Sequence, residues 1–208
     1  MNLESARDAT SEALLQYDRT LRAEADALLY AQGLHPLVSE YGSVHVSGSY
    51  VLQLMTWRDL DLYLEAPQLT VEQFFGLGGR VASLLAAWKM FFTNHRQQPS
   101  SEGLHGLYWG IRLGDVTAGA WKIDLWALDT PTCQERLAHT QRIAGRLTPD
   151  SRTTILALKA QLWNHPAYRD TITSQDIYEA VLDAGVNCLD EFWDYVRSRE
   201  VRGVSDGP

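Results

Sequence analysis

Cysteine is scarce in this chain: Cys133 and Cys188 are the only two in 208 residues. Two thiols cannot frame a disulfide-stapled miniature domain, and so low a count agrees with a reducing compartment. Lysine is nearly as rare, with Lys89, Lys122 and Lys159 set against 15 arginines, and no block of basic residues occurs. Acidic residues outnumber basic ones 26 to 18, a net charge of −8. Binding to long nucleic acid draws much of its affinity from neutralising phosphates, so this charge disfavours that class of partner. It suits small substrates, particularly cationic ones, or a protein. No apolar run approaches the roughly 18 residues of a membrane span, and the N-terminal residues lack the basic-then-apolar layout of a signal peptide. The expectation is a cytoplasmic protein without a membrane anchor. Several chemical signatures are missing too. The six histidines show no His-x-x-x-His or Cys–His spacing, which speaks against zinc. No Gly-x-Ser-x-Gly elbow is present, and Gly76-Leu77-Gly78-Gly79 lacks the Gly-Lys-Ser/Thr ending of a phosphate loop. Those glycines read as packing positions against a strand or against the Gly48 turn.

What remains is an ordinary globular composition, 45% hydrophobic and 21% charged. A helical spacing of leucines and alanines runs from about Ala9 to Gln32 and stops at Gly33 and Pro36. Ser43–Ser47 alternates as a strand, Tyr50–Met55 reads as a short helix, and Asp59–Leu64 alternates strictly as a second strand. Thr70-Val71-Glu72-Gln73 is a capping-box signature, and a helix with Leu84, Leu85, Trp88 and Phe92 on its apolar face should follow. Residues 94–103 are polar and read as a loop. Leu107–Leu113 and Ala120–Leu128 read as strands. Thr132–Leu147, Ser151–Trp163, Ser174–Asp183 and Cys188–Arg199 read as helices, with Ser174 as an N-cap. The fold class is therefore α+β. A catalytic α/β domain is expected over 1–130 and a helical domain over 131–208.

Chemistry concentrates between Gly48 and Leu62. Strand alternation places Asp59 and Asp61 on one face and Leu60, Leu62 and Leu64 on the other. Two carboxylates on one face repel, so a cation nearby is expected. Hard oxygen ligands select Mg²⁺ or Mn²⁺. Asp124, between Ile123 and Leu125, has the same facing, and if its strand lies beside Asp59–Leu64 three carboxylates converge. That is the ligand set of a two-metal phosphoryl-type transfer. Gly48-Ser49 ends a strand and opens a helix, a place where backbone amides and a hydroxyl can hold phosphate.

Gly48-Ser49, the Asp59-Leu60-Asp61-Leu62 element eleven residues beyond Gly48, and Ile123-Asp124-Leu125 together resemble the nucleotidyltransferase superfamily typified by DNA polymerase beta. Within it the chain looks most like small bacterial proteins grouped with aminoglycoside, lincosamide and toxin-like nucleotidyltransferases. The signature covers about residues 44–126. The resemblance implies a nucleotidyltransferase fold, a small mixed sheet flanked by helices with a C-terminal helical part. It implies an enzyme in which Gly48 and Ser49 hold an NTP and Asp59, Asp61 and Asp124 bind two Mg²⁺ ions. Asp124 would then act on the acceptor hydroxyl. The family often uses a lysine of the helical domain to contact triphosphate, and that role falls on Lys159; the plain alternative is a surface lysine whose stem lies along Ile155 and Trp163. Acidic charge points to a small-molecule acceptor. A protein or tRNA acceptor, or a nucleotide-binding or toxin/antitoxin-type module without turnover, is the alternative.

Overall fold

Alternation of polar and apolar residues makes Asp59–Glu65 (β2) and Lys122–Leu128 (β5) neighbouring parallel strands inside a five-stranded mixed sheet. Ser43–Ser47 (β1) pairs antiparallel with β2 at one edge. Leu107–Arg112 (β4) pairs antiparallel with β5, and Lys89–Asn94 (β3) closes the other edge, for an order β1-β2-β5-β4-β3. The computed structural model describes residues 3–100, 103–168 and 171–205. They fall into two compact units, one of residues 18–142 and one of the described residues of 1–17 and 143–208.

In the first unit one face of the sheet is the core. Leu60, Leu62 and Leu64 of β2, Ile123, Leu125 and Ala127 of β5, and Leu107, Trp109 and Ile111 of β4 are buried there. Leu21 and Ala25 of helix α1 (Leu3–Asp26), Val38 of α2 (Leu34–Ser39), and Phe74, Leu77 and Val81 of α4 (Val71–Leu85) cover them. Each fully buried leucine or phenylalanine contributes about 1.5–3 kcal/mol. The opposite face carries the polar set, and so it is the face on which chemistry can be exposed. A π-helical turn, Ala27–Ala31, continues α1, and Gly33 at φ 88° ends it. The short helix α3 spans Gly48–Leu52, starting two residues before the Tyr50–Met55 reading and ending where Gln53 turns left-handed at φ 56°.

The reading of the helix after Thr70 is overturned at its C-terminal end. The helix that opens at Thr70, with the capping box in place, does not run on to Trp88 and Phe92. It ends after Leu85 because Ala86 takes a left-handed conformation at φ 49°, and Lys89–Asn94 is strand β3. Met90 and Phe92 happen to prolong the helical period while facing the core from an extended segment. Of the α4 glycines, Gly78 packs on β4: a Cβ there would stand 2.6 Å from the Trp109 ring. Gly76 and Gly79 face open space instead.

α5 (Thr130–Ala144) follows β5, and its residues up to Arg142 belong to the first unit. The second unit includes α6 (Pro149–Leu162), α7 (Ser174–Leu182) and α8 (Leu189–Ser205). Ile155, Leu158, Ile177, Ala180 and Phe192 are buried in it. α7 is capped by Thr173, whose hydroxyl and backbone exchange hydrogen bonds with Asp176, and not by Ser174. Ser174 pairs with the Tyr168 hydroxyl at 2.6 Å instead. Among the described residues no helix is long and apolar enough to cross a membrane.

Candidate active site

The parallel register of β2 and β5 pairs Asp61 with Asp124 and Asp59 with Lys122. Alternation does the rest: all four side chains leave the sheet on the face opposite the leucines. Asp59, Asp61 and Asp124 each place a carboxylate oxygen within 4.8 Å of the others, so the three acids singled out in the sequence form one cluster. Arg58, the residue before β2, donates from Nε and Nη2 to the two oxygens of Glu24 on α1, at 2.6 and 2.9 Å. A third bond reaches the Gly119 carbonyl at 3.1 Å. This fork fixes the start of β2, and with it the height of Asp59 on the sheet.

Gly48 stands against the cluster. Its φ is +63°, and a Cβ built there would lie 2.0 Å from Asp61 Oδ2. Only glycine allows the turn after β1 to pass this close to the carboxylate. Ser47, just before it, is buried and shares a hydrogen bond with Thr140 of α5 at 3.1 Å. Ser49 lies in the first turn of α3, and its carbonyl accepts from the Leu54 amide at 2.9 Å. The structure thus brings Gly48, Asp59, Asp61 and Asp124 together, with Ser49 next in the chain.

Lys122 is the residue that sequence reasoning left out. Its ammonium donates to Asp59 Oδ1 and to Asp124 Oδ2, both at 2.7 Å, and lies 5.4 Å from the centre of the Trp57 ring. The side chains of Lys122, Asp59 and Asp124 are 14%, 19% and 16% exposed, so the charges meet in a largely desolvated place. Burial works against the ammonium, but Asp59, Asp124 and Asp61 outweigh it and hold the Lys122 pKa well above the ordinary range. A signal for this residue was present. Lys122 precedes Asp124 by two on the same strand, and period-two alternation puts the pair on one face.

Two further groups from β4 complete the surroundings of Asp124. The Tyr108 hydroxyl donates to Asp124 Oδ1 at 2.9 Å, and burial together with the Asp124 charge raises its pKa. The Arg112 guanidinium is 3.6 Å from the same oxygen. Tyr108 also packs on Trp126, ring centres 4.6 Å apart, and His95 stacks on Trp126 at 5.1 Å. An aromatic wall therefore rises beside Asp124.

The donor set fits a hard divalent cation: three half-buried carboxylates offering only oxygen, on adjacent rigid strands. Lys122 and Arg112 already bring positive charge to these acids, and a divalent ion would join them there.

Lys159 belongs to the second unit. It is fully buried there, with Nζ 3.4 Å from the Tyr178 hydroxyl and 5.7 Å from the centre of that ring. It is therefore no surface lysine.

No protein-family model matches the sequence, and no curated protein matches it. Solved structures do. The Cid1 poly(U) polymerase, in a structure with Mg and 3′-dATP bound, superposes with a TM-score of 0.51 at 14% identity, covering 84% of this chain and 54% of that one. A chain of the GLD-2/RNP-8 complex gives a TM-score of 0.48 at 13% identity over 83% of this chain and 64% of that one. A cytoplasmic RNA terminal U-transferase gives 0.45 at 11% identity, with 82% and 53% covered. This chain therefore spans between about half and two thirds of the chains it matches. At such identities the likeness speaks to architecture. The α+β layout, the five-stranded mixed sheet and the Cid1 superposition together give this chain the nucleotidyltransferase fold.

Proposed function

We propose that this chain is a Mg²⁺-dependent nucleotidyltransferase that moves a nucleoside monophosphate from an NTP to a hydroxyl and releases pyrophosphate. The observation that carries the reading is the convergence of Asp59, Asp61 and Asp124 on one sheet face, with the Gly48 turn laid against Asp61. A divalent ion held by these acids supplies charge neutralisation and polarisation at the phosphates. The chain's own residues do the positioning. Gly48 and Ser49 hold the triphosphate, as the resemblance to the superfamily implies; for Lys159, fully buried in the other unit, a role toward triphosphate rests on that resemblance alone. Asp124 receives the acceptor hydroxyl's proton as the oxygen–phosphorus bond forms and the bond from the α-phosphorus to the bridging oxygen breaks.

Lys122 must share Asp59 and Asp124 with any metal. Asp59 Oδ1 and Asp124 Oδ2 are both committed to its ammonium, so binding of NTP and metal redistributes these hydrogen bonds. The same contact supports a second reading. A built-in ammonium neutralises part of the acidic cluster without a metal, which suits a nucleotide-binding module without turnover.

For the acceptor, the net charge of −8 and the wall of Tyr108 and Trp126 beside Asp124 favour a small, cationic hydroxyl compound, which acidic and aromatic surfaces both attract. The name of one matched structure, a poly(U) polymerase, favours an RNA end as the rival acceptor. The test is transfer from labelled NTPs with Mg²⁺ to a panel of hydroxylated amines and short RNAs. Labelled small-molecule product with pyrophosphate release supports the first reading. Extension of RNA replaces the acceptor. Saturable nucleotide binding with no pyrophosphate across the panel favours the binding module.

A further inference from the structure

Glu65 ends β2, four residues beyond Asp61 and so roughly 13 Å along the strand from the carboxylate cluster. There it meets two residues from other elements. His45, on β1, brings Nε2 to 3.3 Å from Glu65 Oε2. Cys133, in the first turn of α5, is fully buried beneath them. One nitrogen, one carboxylate oxygen and one sulfur thus lie within 4.8 Å of one another, from two strands and a helix.

We propose that His45, Glu65 and Cys133 form a site for a borderline-soft divalent cation of the zinc class, separate from the carboxylate cluster of Asp59, Asp61 and Asp124. The donor chemistry separates the two sites. Three carboxylates suit a hard ion, whereas an imidazole, a thiolate and one carboxylate are the mixture zinc selects. Bonds of about 2.0–2.3 Å place the ligand atoms of a tetrahedral ion roughly 3.5 Å apart, so modest side-chain rotation closes this cluster on a metal. Thr130 donates to Glu65 Oε1 at 2.7 Å, which orients the carboxylate and leaves Oε2 toward His45. Such hydrogen bonds behind a ligand set its direction at many metal centres. The His45 and Glu65 side chains are part-exposed, which leaves an approach from solvent and a fourth position for water. An ion here would tie α5 to β1, the strand that delivers Gly48 to Asp61.

The test uses the full chain, reduced and stripped of metal, titrated with Co²⁺ as a spectroscopic substitute for Zn²⁺. We expect a thiolate-to-cobalt charge-transfer band that Zn²⁺ abolishes. Asp59→Asn with Asp61→Asn should keep the band, as should Cys188→Ser, which removes the other thiol. Cys133→Ser should lose it. His45→Ala, at a part-exposed strand position, should lower zinc affinity at least tenfold, because even changes behind a ligand typically cost about 10–100-fold. Absence of the band in the wild-type chain overturns the proposal, and so does its survival in Cys133→Ser. Should Cys133→Ser not fold, His45→Ala decides alone, and unchanged zinc affinity in that variant overturns the site.

Discussion

Lys122 stands directly opposite Asp59 in the parallel β2–β5 register and donates to its carboxylate at 2.7 Å. The same ammonium bridges to Asp124, so one lysine holds together two acids from adjacent strands. Removing one partner from a largely buried ion pair costs more than the pair itself contributes, because uncompensated charge stays behind. Lys122→Met keeps most of the stem and deletes the charge. It should destabilise the metal-free protein by about 3 kcal/mol, the low end for breaking a buried pair. Mg²⁺ should recover part of that loss, giving the variant a larger Mg²⁺-dependent rise in Tm than the wild type. Equal loss with and without Mg²⁺ would show that ammonium and metal do not share the same carboxylates.

The metal assignment predicts a complementary result for the acids. Asp59→Asn together with Asp61→Asn relieves their repulsion but removes the ligands. Binding to the native state alone raises stability by mass action, and that gain should vanish in the double variant. Thermal melts with ATP, with and without Mg²⁺, make the measurement. A Mg²⁺-dependent shift as large as the wild type's would place the ion elsewhere.

How much of this was legible beforehand differs from residue to residue. Asp59, Asp61 and Asp124 announced their common face through strict alternation with leucine and isoleucine, a pattern that short strands cannot disguise. The Lys122–Asp59 contact needed the register between β2 and β5, which no spacing along one strand contains. β3 was hidden for another reason. Met90 and Phe92 continue the apolar period of α4, and the break falls at Ala86, an alanine in a left-handed conformation where sequence rules look for glycine. The His45–Glu65–Cys133 cluster is assembled from β1, β2 and α5, so no local spacing motif could carry it.

Gly48 tests how tightly the turn and the carboxylate are coupled. Gly48→Ala places a Cβ where Asp61 Oδ2 lies and forces an L-residue to φ +63°. The left-handed backbone alone costs about 1–2 kcal/mol, and Asp61 must rotate away from Asp59 and Asp124. Turnover should therefore fall far more than stability, by at least tenfold beside a modest drop in Tm. A variant with normal turnover would detach the Gly48 turn from the chemistry. Ser49→Ala is the milder companion. It deletes one hydroxyl and should weaken NTP binding by about 1–3 kcal/mol, the scale of a hydrogen bond to a charged group.

Lys159 calls for a pair of variants because it is fully buried beside Tyr178. Lys159→Ala removes a long packed stem and should destabilise by about 2–5 kcal/mol, as large-to-small core changes do. Lys159→Met retains the stem volume and isolates the charge. If the ammonium serves the triphosphate, Lys159→Met lowers ATP affinity and leaves AMP affinity nearly unchanged. Equal effects on both nucleotides, measured by titration, would leave Lys159 with a structural role only.

Asp124 separates chemistry from binding. Both of its oxygens are engaged, Oδ2 by Lys122 and Oδ1 by Tyr108, and each partner is a donor. Asp124→Asn keeps the volume but turns one acceptor into an amide that faces a donor, so a stability loss of about 1–3 kcal/mol is expected. The functional consequence depends on when Asp124 acts. A group that only helps grip the triphosphate lowers nucleotide affinity in proportion to lost turnover. A group that works on the acceptor hydroxyl acts in the transition state, and its loss spares the ground-state complex. General-base catalysis is worth about 10²–10⁴-fold, and turnover should fall at least within that range. Nucleotide affinity should change by less than about tenfold, or roughly 1.4 kcal/mol. Nucleotide titration and single-turnover transfer on one preparation, at a temperature below the variant's own Tm, read both quantities. Transfer at near wild-type rate would remove Asp124 from the chemistry and leave the acidic cluster as a binding site for nucleotide and metal alone.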